Sequence, residues 1–348
     1  MVSAAAEEPK LNEGWIDVQV CEGLLSKDIK FLLGVDGSEV SVNAMSYVTN
    51  ALMQRDRQSI IKVVHIYDDR KDYLPPRLRR DSVASLIETQ LESSVSKKRW
   101  SLRLVHKGQQ RTSDLLTEQI VDFGADYACL GFVGLKGSKK DAHLMASNVF
   151  ETLKMGVCSC IVIKDEEKSM LPIGRKTKFV ISVGLNKAST KAFLDAVRLS
   201  KPGDELHVVY VKSYLESVES DYTTELRKKY SGFFEGLNDE QEGIFYKFHD
   251  RSFQFQILDK RRKETVPQAV VRYVDEVEAD FVVVGTNSMR VQKGKTPVGS
   301  ISMQICMETD RNFIVATWTD VNPRVYEAHV RRGKTPPRTP IDKPQSGL

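Results

Sequence analysis

The sequence predicts an α/β protein made of two tandem domains, each a five-stranded parallel sheet flanked by helices. Three observations carry this prediction. The chain has 348 residues, enough for two cores at roughly 150 residues each. A phrase near its start, KFLLGVDGSEVS from Lys30, returns as KFVISVGLNKAS from Lys178. Within each copy, short apolar runs alternate with amphipathic stretches, a pattern that calls for crossover connections and so for parallel strands.

The repeat rests on order as well as likeness. The first match has an offset of 148 residues, ACLGFVGLK pairs with VVVGTNSMR (Gly131 on Gly285) at 154, and CIVIK pairs with FIVAT (Cys160 on Phe313) at 153. Three matches in one order at nearly constant spacing indicate duplication. In the first copy, Phe31–Val35, Ile60–Tyr67, Leu102–His106, Tyr127–Val133 and Cys160–Ile163 read as strands, being short and rich in branched residues. Between them, Ala44, Val48, Ala51 and Leu52 share a helical face, as do Val83, Ile87, Leu91 and Val95, and then Leu115, Leu116, Ile120 and Phe123. Thr112 or Ser113 is the expected cap of that third helix, and a fourth runs from about Ser147 to Lys154. The second copy repeats the order with strands near Phe179–Val183, Leu206–Val211, Phe253–Leu258, Phe281–Val284 and Phe313–Ala316. The expected organisation is an N-terminal extension (1–25), a first domain (26–166), a linker (167–176), a second domain (177–319) and a basic, Pro-rich tail (320–348). The stretches 68–80 and 212–243 are polar excursions after each second strand.

Composition narrows the function. The net charge of +4 resides in the tail, where six Lys and Arg from Arg324 onward face Glu327 and Asp342. The body is therefore neutral, which argues against a nucleic-acid-binding body. Five cysteines, mostly in apolar runs, suggest a reducing compartment, and no run of about 18 apolar residues marks a membrane span. A cytoplasmic protein is the expectation. Cys158 and Cys160 read as small buried hydrophobes, and the six histidines are too scattered to ligate a metal. KGKT at Lys293–Thr296 imitates a phosphate loop, but Met289 stands where that loop requires glycine. In the tail, Thr335 and Thr339 each precede a proline and are candidate phosphorylation sites, and the tail is the expected contact for protein partners.

Open parallel sheets bind ligands at the carboxyl ends of their strands. There the first copy places Val35, Asp36, Gly37 and Ser38, then Gly131, Gly134 and Gly137, with Ser147 and Asn148 opening a helix. The second copy places Gly285, Thr286 and Ser288, with Gly299, Ser300 and Ile301 at the corresponding helix start. Glycines let a phosphate approach the backbone, and a helix N-terminus adds about half a positive charge.

The string VDGSEVS, the VVH of the second strand, a glycine ending the fourth, Gly299-Ser300 opening the last helix and Cys158 before the last strand together resemble the universal stress protein family across both halves. The resemblance implies an adenine nucleotide alpha hydrolase-like, Rossmann-like fold. It further implies binding of ATP or another adenine nucleotide, with Mg²⁺ arriving on the nucleotide. Asp36 would lie close to ribose and adenine, and Ile66 and Val211 would meet the adenine edge. Last strands of the family pair across a two-fold axis, so the halves are expected to form an intramolecular pseudo-dimer, with the whole chain monomeric or a homodimer. Neither copy keeps the family pattern, Gly-x-x-Gly followed after nine residues by Gly and then Ser or Thr. In the first, twelve residues separate Gly134 from Ser147, although Gly137 restores a spacing of nine. In the second, Ser288 replaces a glycine and Gly184 replaces the aspartate. Because the second copy retains Gly299-Ser300, it is the expected stronger triphosphate site. A nucleotide-free scaffold and a slow hydrolase or adenylating enzyme are the competing readings.

Overall fold

The computed structural model describes residues 25, 27–53, 58–135, 145–164, 175–212, 220–237, 251–286 and 299–317. Ten strands appear: β1 (Lys30–Gly34), β2 (Ile60–Tyr67), β3 (Trp100–His106), β4 (Tyr127–Gly131) and β5 (Ser159–Ile163), then β6 (Lys178–Ser182), β7 (Glu205–Val211), β8 (Ser252–Leu258), β9 (Phe281–Thr286) and β10 (Asn312–Thr317). The helices are α1 (Glu39–Tyr47), α2 (Arg80–Ser94), α3 (Thr112–Phe123), α4 (Ser147–Met155), α5 (Lys187–Leu199), α6 (Asp221–Leu237), α7 (Val266–Glu276) and α8 (Ser300–Glu308). None of the described helices is long and apolar enough to cross a membrane.

All ten strands join one sheet in the order β3-β2-β1-β4-β5-β10-β9-β6-β7-β8. The order reads the same from both ends once the repeat is allowed for. Pairing is parallel within each half. At the centre β5 and β10 pair antiparallel, with Ile161 opposite Ile314 and Cys160 and Val162 opposite Val315 and Phe313. This is the expected pseudo-two-fold seam. Every residue of both seam strands is buried, which an open edge would not tolerate.

Alternation along the strands feeds two cores. Phe31, Leu33, Phe179, Ile181, Phe281 and Ile314 pack on one face, while Leu32, Ala128, Val180, Val282 and Phe313 pack on the other. Polar side chains also cross the seam. Asp195 on α5 accepts from Tyr127 Oη at 2.8 Å, from Ser159 Oγ at 2.6 Å, and from Lys191 Nζ. At the related position of the first half, Tyr47 on α1 instead sets its ring edge-on to Phe281 at 5.5 Å. Such a buried carboxylate is tolerated because each of its oxygens has a donor.

The differences from the sequence reading are local. Val35 and Val133 fall beyond β1 and β4. Val35 still donates to Val64 O at 3.0 Å, but the chain then turns at Gly37 (φ 84°). Neither Thr112 nor Ser113 caps α3, because they are its first and second residues, and Arg111 is its N-cap with no side-chain bond. Val95 is the extended C-cap of α2 and not part of it. The excursion at 212–243 contains α6, held down by Leu226 and Tyr230, which are four residues apart and fully buried. Most of the expected linker, the expected tail and residues 1–24 lie outside the described residues, as do Gly137, Ser288, Thr335 and Thr339.

Candidate functional site

In the first half, Asp36 stands between two loops. Its Oδ1 accepts from Ser38 N at 3.0 Å and Ser38 Oγ at 2.6 Å, and its Oδ2 accepts from Leu135 N at 3.0 Å. Ser38 is in turn the N-cap of α1 and accepts from Ser41 N. A carboxylate offers about four acceptor positions, so roughly one is left for a ligand hydroxyl. Gly134 is held against the same carboxylate, since a Cβ there would lie 2.8 Å from Asp36 Oδ2. Asp36 thus ties the β1–α1 turn to the loop that follows β4.

Around it opens a cleft of about 1110 Å³, bounded by Asp36, Ile66, Gly134, Ser147, Asn148 and the first turn of α3. Its volume is enough for a nucleotide, since ligand pockets run from about 300 to 1,000 Å³. Beneath it a smaller space of about 80 Å³ reaches in between Val35, Val64, Leu116 and Val149. The N-termini of α3 and α4 face the cleft and lack a side-chain cap, so their free N–H groups and positive dipole ends remain available. Lys71, Lys107 and Arg111 also line it, together with Asp68, Asp69 and Asp72. Its charge is therefore mixed.

His65 shapes the floor. Its Nδ1 lies 2.8 Å from Val35 O, and a carbonyl only accepts, so the proton sits on Nδ1. Burial pushes the imidazole below its usual pKa, which keeps the ring neutral.

The second half is built differently at the same place. Gly184 occupies the aspartate position, and Asn186 caps α5 by accepting from Ser189 N at 2.9 Å. Over Gly184 lies Tyr222 of α6, whose Oη accepts from Leu185 N at 3.0 Å and would sit 3.4 Å from a Cβ at residue 184. Tyr230 Oη donates to Gly184 O at 3.0 Å, and the Tyr210 ring packs on that of Tyr222 at 5.4 Å. Tyrosines therefore hold the space above Gly184. Val211 ends β7, Gly285 and Thr286 end β9, and Gly299 is the N-cap before Ser300, the first residue of α8. Gly285 is required by close approach, because a Cβ there would meet Ala188 O at 2.2 Å. Ile301 is 49% exposed.

Of the residues the sequence singled out, Asp36, Ile66, Gly134, Ser147 and Asn148 line one cleft. The sequence reading missed Leu135 as a partner of Asp36, and Tyr222 and Tyr230 as occupants of the second strand end. Residues Arg111 and Lys107 were missed as well, although their place after β3 was a usable signal. Cys129 and Cys306 are buried, and burial pushes their thiols up, Cys306 to about 12, so neither is a nucleophile. Among the described residues no cluster of His, Cys, Asp and Glu could hold a metal ion.

Solved structures share this fold. A universal stress protein from Archaeoglobus fulgidus DSM 4304 aligns over 84% of this chain and 97% of its own, at 14% identity and a TM-score of 0.52. A functionally unknown protein from Pseudomonas aeruginosa PAO1 aligns over 89% of this chain and 99% of its own, at 10% identity and a TM-score of 0.54. No family model matches the sequence, and no curated protein matches it. At these identities the likeness establishes the fold alone. The chain has the tandem fold of a universal stress protein, with both halves present.

Proposed function

We propose that this is a regulatory protein of the universal-stress type that binds one adenine nucleotide, in its first half. One observation carries the reading: the cleft beside Asp36 is open, of nucleotide size, and faced by two uncapped helix N-termini. In this reading the remaining acceptor position of Asp36 takes a ribose hydroxyl, the backbone at Ile66 meets the adenine edge, and Ser147 and Asn148 hold the phosphates at the start of α4. Mg²⁺ accompanies the nucleotide. This reverses the expectation that the second half is the stronger site. Gly299 and Ser300 are in place there, but Tyr222 lies over Gly184, where the ribose would have to enter.

Calorimetry with ATP on the full chain tests this. Wild type is expected to bind one equivalent, Asp36→Ala to lose at least tenfold in affinity, and Gly299→Val to bind unchanged. The converse, with Gly299→Val inactive and Asp36→Ala unaffected, assigns the ligand to the second half. The scaffold reading draws on a specific fact, the three internal bonds that already occupy Asp36. No heat with any adenine nucleotide, and no nucleotide mass in native mass spectrometry of gently purified protein, would decide for it.

A further inference from the structure

The segment leading into α2 reads Arg79-Arg80-Asp81-Ser82-Val83. Two arginines stand three and two residues before a serine, with a branched apolar residue directly after it. A kinase with acidic pockets for the two guanidinium groups and an apolar pocket beyond the acceptor reads this order. In the fold Arg79 holds the preceding loop, donating to Leu74 O at 3.2 Å and Asp72 O at 3.0 Å, but neither that role nor the cleft calls for a serine three residues on.

The structure places the serine where it can be reached. Pro75, Pro76, Arg77, Arg79, Arg80, Asp81 and Ser82 are all exposed, and only Leu78 within this run is half-buried. Ser82 is the third residue of α2, whose N-cap, Arg79, makes no side-chain capping bond. The first bond inside the helix runs from Val83 N to Arg79 O at 3.0 Å. Unwinding the chain through Ser82 for a kinase therefore releases one turn of an uncapped helix end, the part of a helix that opens at least cost, together with the two exposed bonds from the Arg79 guanidinium to Leu74 O and Asp72 O. Val83 resists, being 1% exposed. Its burial sets how far the turn must open for the apolar pocket to engage.

The product suits the site better than the substrate does. A phosphate on the third residue of a helix lies among the N–H groups ahead of the first intrahelical bond, at the positive end of the dipole. Arg80 is within reach on the same turn. Its guanidinium now lies over the Tyr67 ring at 4.9 Å, and it also meets the exposed Asp81 at 3.6 Å. Both contacts are weak enough at the surface for a phosphate to replace them. Arg80, Asp81 and Tyr67 all line the cleft, so the modification changes the charge on its rim. Ser85, Thr89 and Ser93 follow on the same exposed side of α2, but none has a basic residue two or three places before it.

We infer that Ser82 is a phosphorylation site for a serine kinase that recognises paired arginines, and that the modified residue caps α2. The γ-phosphoryl group of ATP passes to Ser82 Oγ. The bond to the β-phosphate oxygen breaks, the bond to Oγ forms, ADP leaves, and the hydroxyl proton goes to the kinase's general base. This inference does not depend on the nucleotide reading.

The test is to incubate the native full chain with ATP and the catalytic domain of a kinase selective for Arg-Arg-x-Ser, mapping sites by mass spectrometry. A synthetic peptide covering residues 74–87 serves as the unstructured comparison. The expected result is modification at Ser82, none in Ser82→Ala, and a fall in kcat/KM of about tenfold or more in Arg79→Ala and in Arg80→Ala. Amide exchange in the first turn of α2 should slow on modification. Phosphorylation of the peptide but not of the folded chain, or modification only after heating, overturns the inference. So does incorporation at other positions that persists in Ser82→Ala, and so does faster exchange in α2 once Ser82 carries phosphate.

Discussion

The two halves end their first strands alike in backbone and unlike in chemistry. Val35 and Val183 each donate to the neighbouring strand at 3.0 Å, to Val64 O and Val209 O. One residue later the first half has Asp36, held by Ser38 and Leu135, and the second has Gly184 beneath Tyr222. A carboxylate there holds two loops together and leaves a cleft between them. A glycine there lets an aromatic ring from α6 settle on the backbone. The two halves thus share one scaffold while their first-strand ends differ in side chains, one beside a cleft and one covered by a tyrosine.

The largest expected effect sharpens this comparison through the glycines that end β4 and β9. A Cβ at Gly285 would lie 2.2 Å from Ala188 O, a backbone atom, whereas at Gly131 the nearest atom is Val40 Cγ1 at 2.9 Å. Gly285→Ala is expected to destabilise the protein by about 3 kcal/mol and Gly131→Ala by about 1 to 2 kcal/mol. Urea denaturation of the two variants would reveal equal losses if the second half were as loosely packed at its strand end as the first.

Next comes the exchange of residues at the strand tip. An aspartate at residue 184 must fit beside Asn186 Nδ2 and Tyr222 Oη, 3.2 and 3.4 Å from the Cβ position. Gly184→Asp should cost about 1 to 2 kcal/mol, and much of that should vanish in the background of Tyr222→Ala. A double-mutant cycle showing independent effects would break the claim that Tyr222 fills the site. A smaller effect is expected from Asp36→Asn, which keeps the shape but weakens acceptance from Ser38 and Leu135, by about 1 kcal/mol. Faster amide exchange at Leu135 is its signature.

The smallest effect concerns pH and should be common to both halves. Burial is the main cause holding both His65 and His207 below the usual histidine pKa. In the unfolded chain each titrates near 6.5, so on acidification the unfolded state takes up protons first. The stability due to their neutral forms is complete above about pH 6.5 and is lost as pH falls through the folded-state values. Denaturation midpoints at pH 7.5 and pH 5.5 should converge in His65→Gln and His207→Gln relative to wild type. A midpoint that rises on acidification in wild type contradicts this.

What the sequence made legible was whatever depends on neighbours along the chain. Apolar runs such as Ile60–Tyr67 located strands to within a residue or two, and the wholly apolar CIVI and FIVA correctly announced a buried seam. Asp36 was visible because a strand followed by Asp-Gly-Ser is a local signal. Tyr222 was not, because 38 residues separate it from Gly184, and nothing in a polar excursion says which aromatic will fold back. The bond from Leu135 N to Asp36 spans 99 residues and is equally silent. The cap of α3 was missed for another reason: Thr112 and Ser113 have capping side chains, but Arg111 already holds the extended cap conformation (φ −75°, ψ 143°), so both fall inside the helix.

The antiparallel seam also sets which way each strand tip faces. Strands on its two sides run in opposite directions, so the carboxyl ends of β1 and β6 point to opposite rims of the sheet. Five strand-to-strand steps separate them, on the order of 24 Å at the usual spacing. The cleft beside Asp36 and the strand end covered by Tyr222 therefore face opposite rims of one sheet.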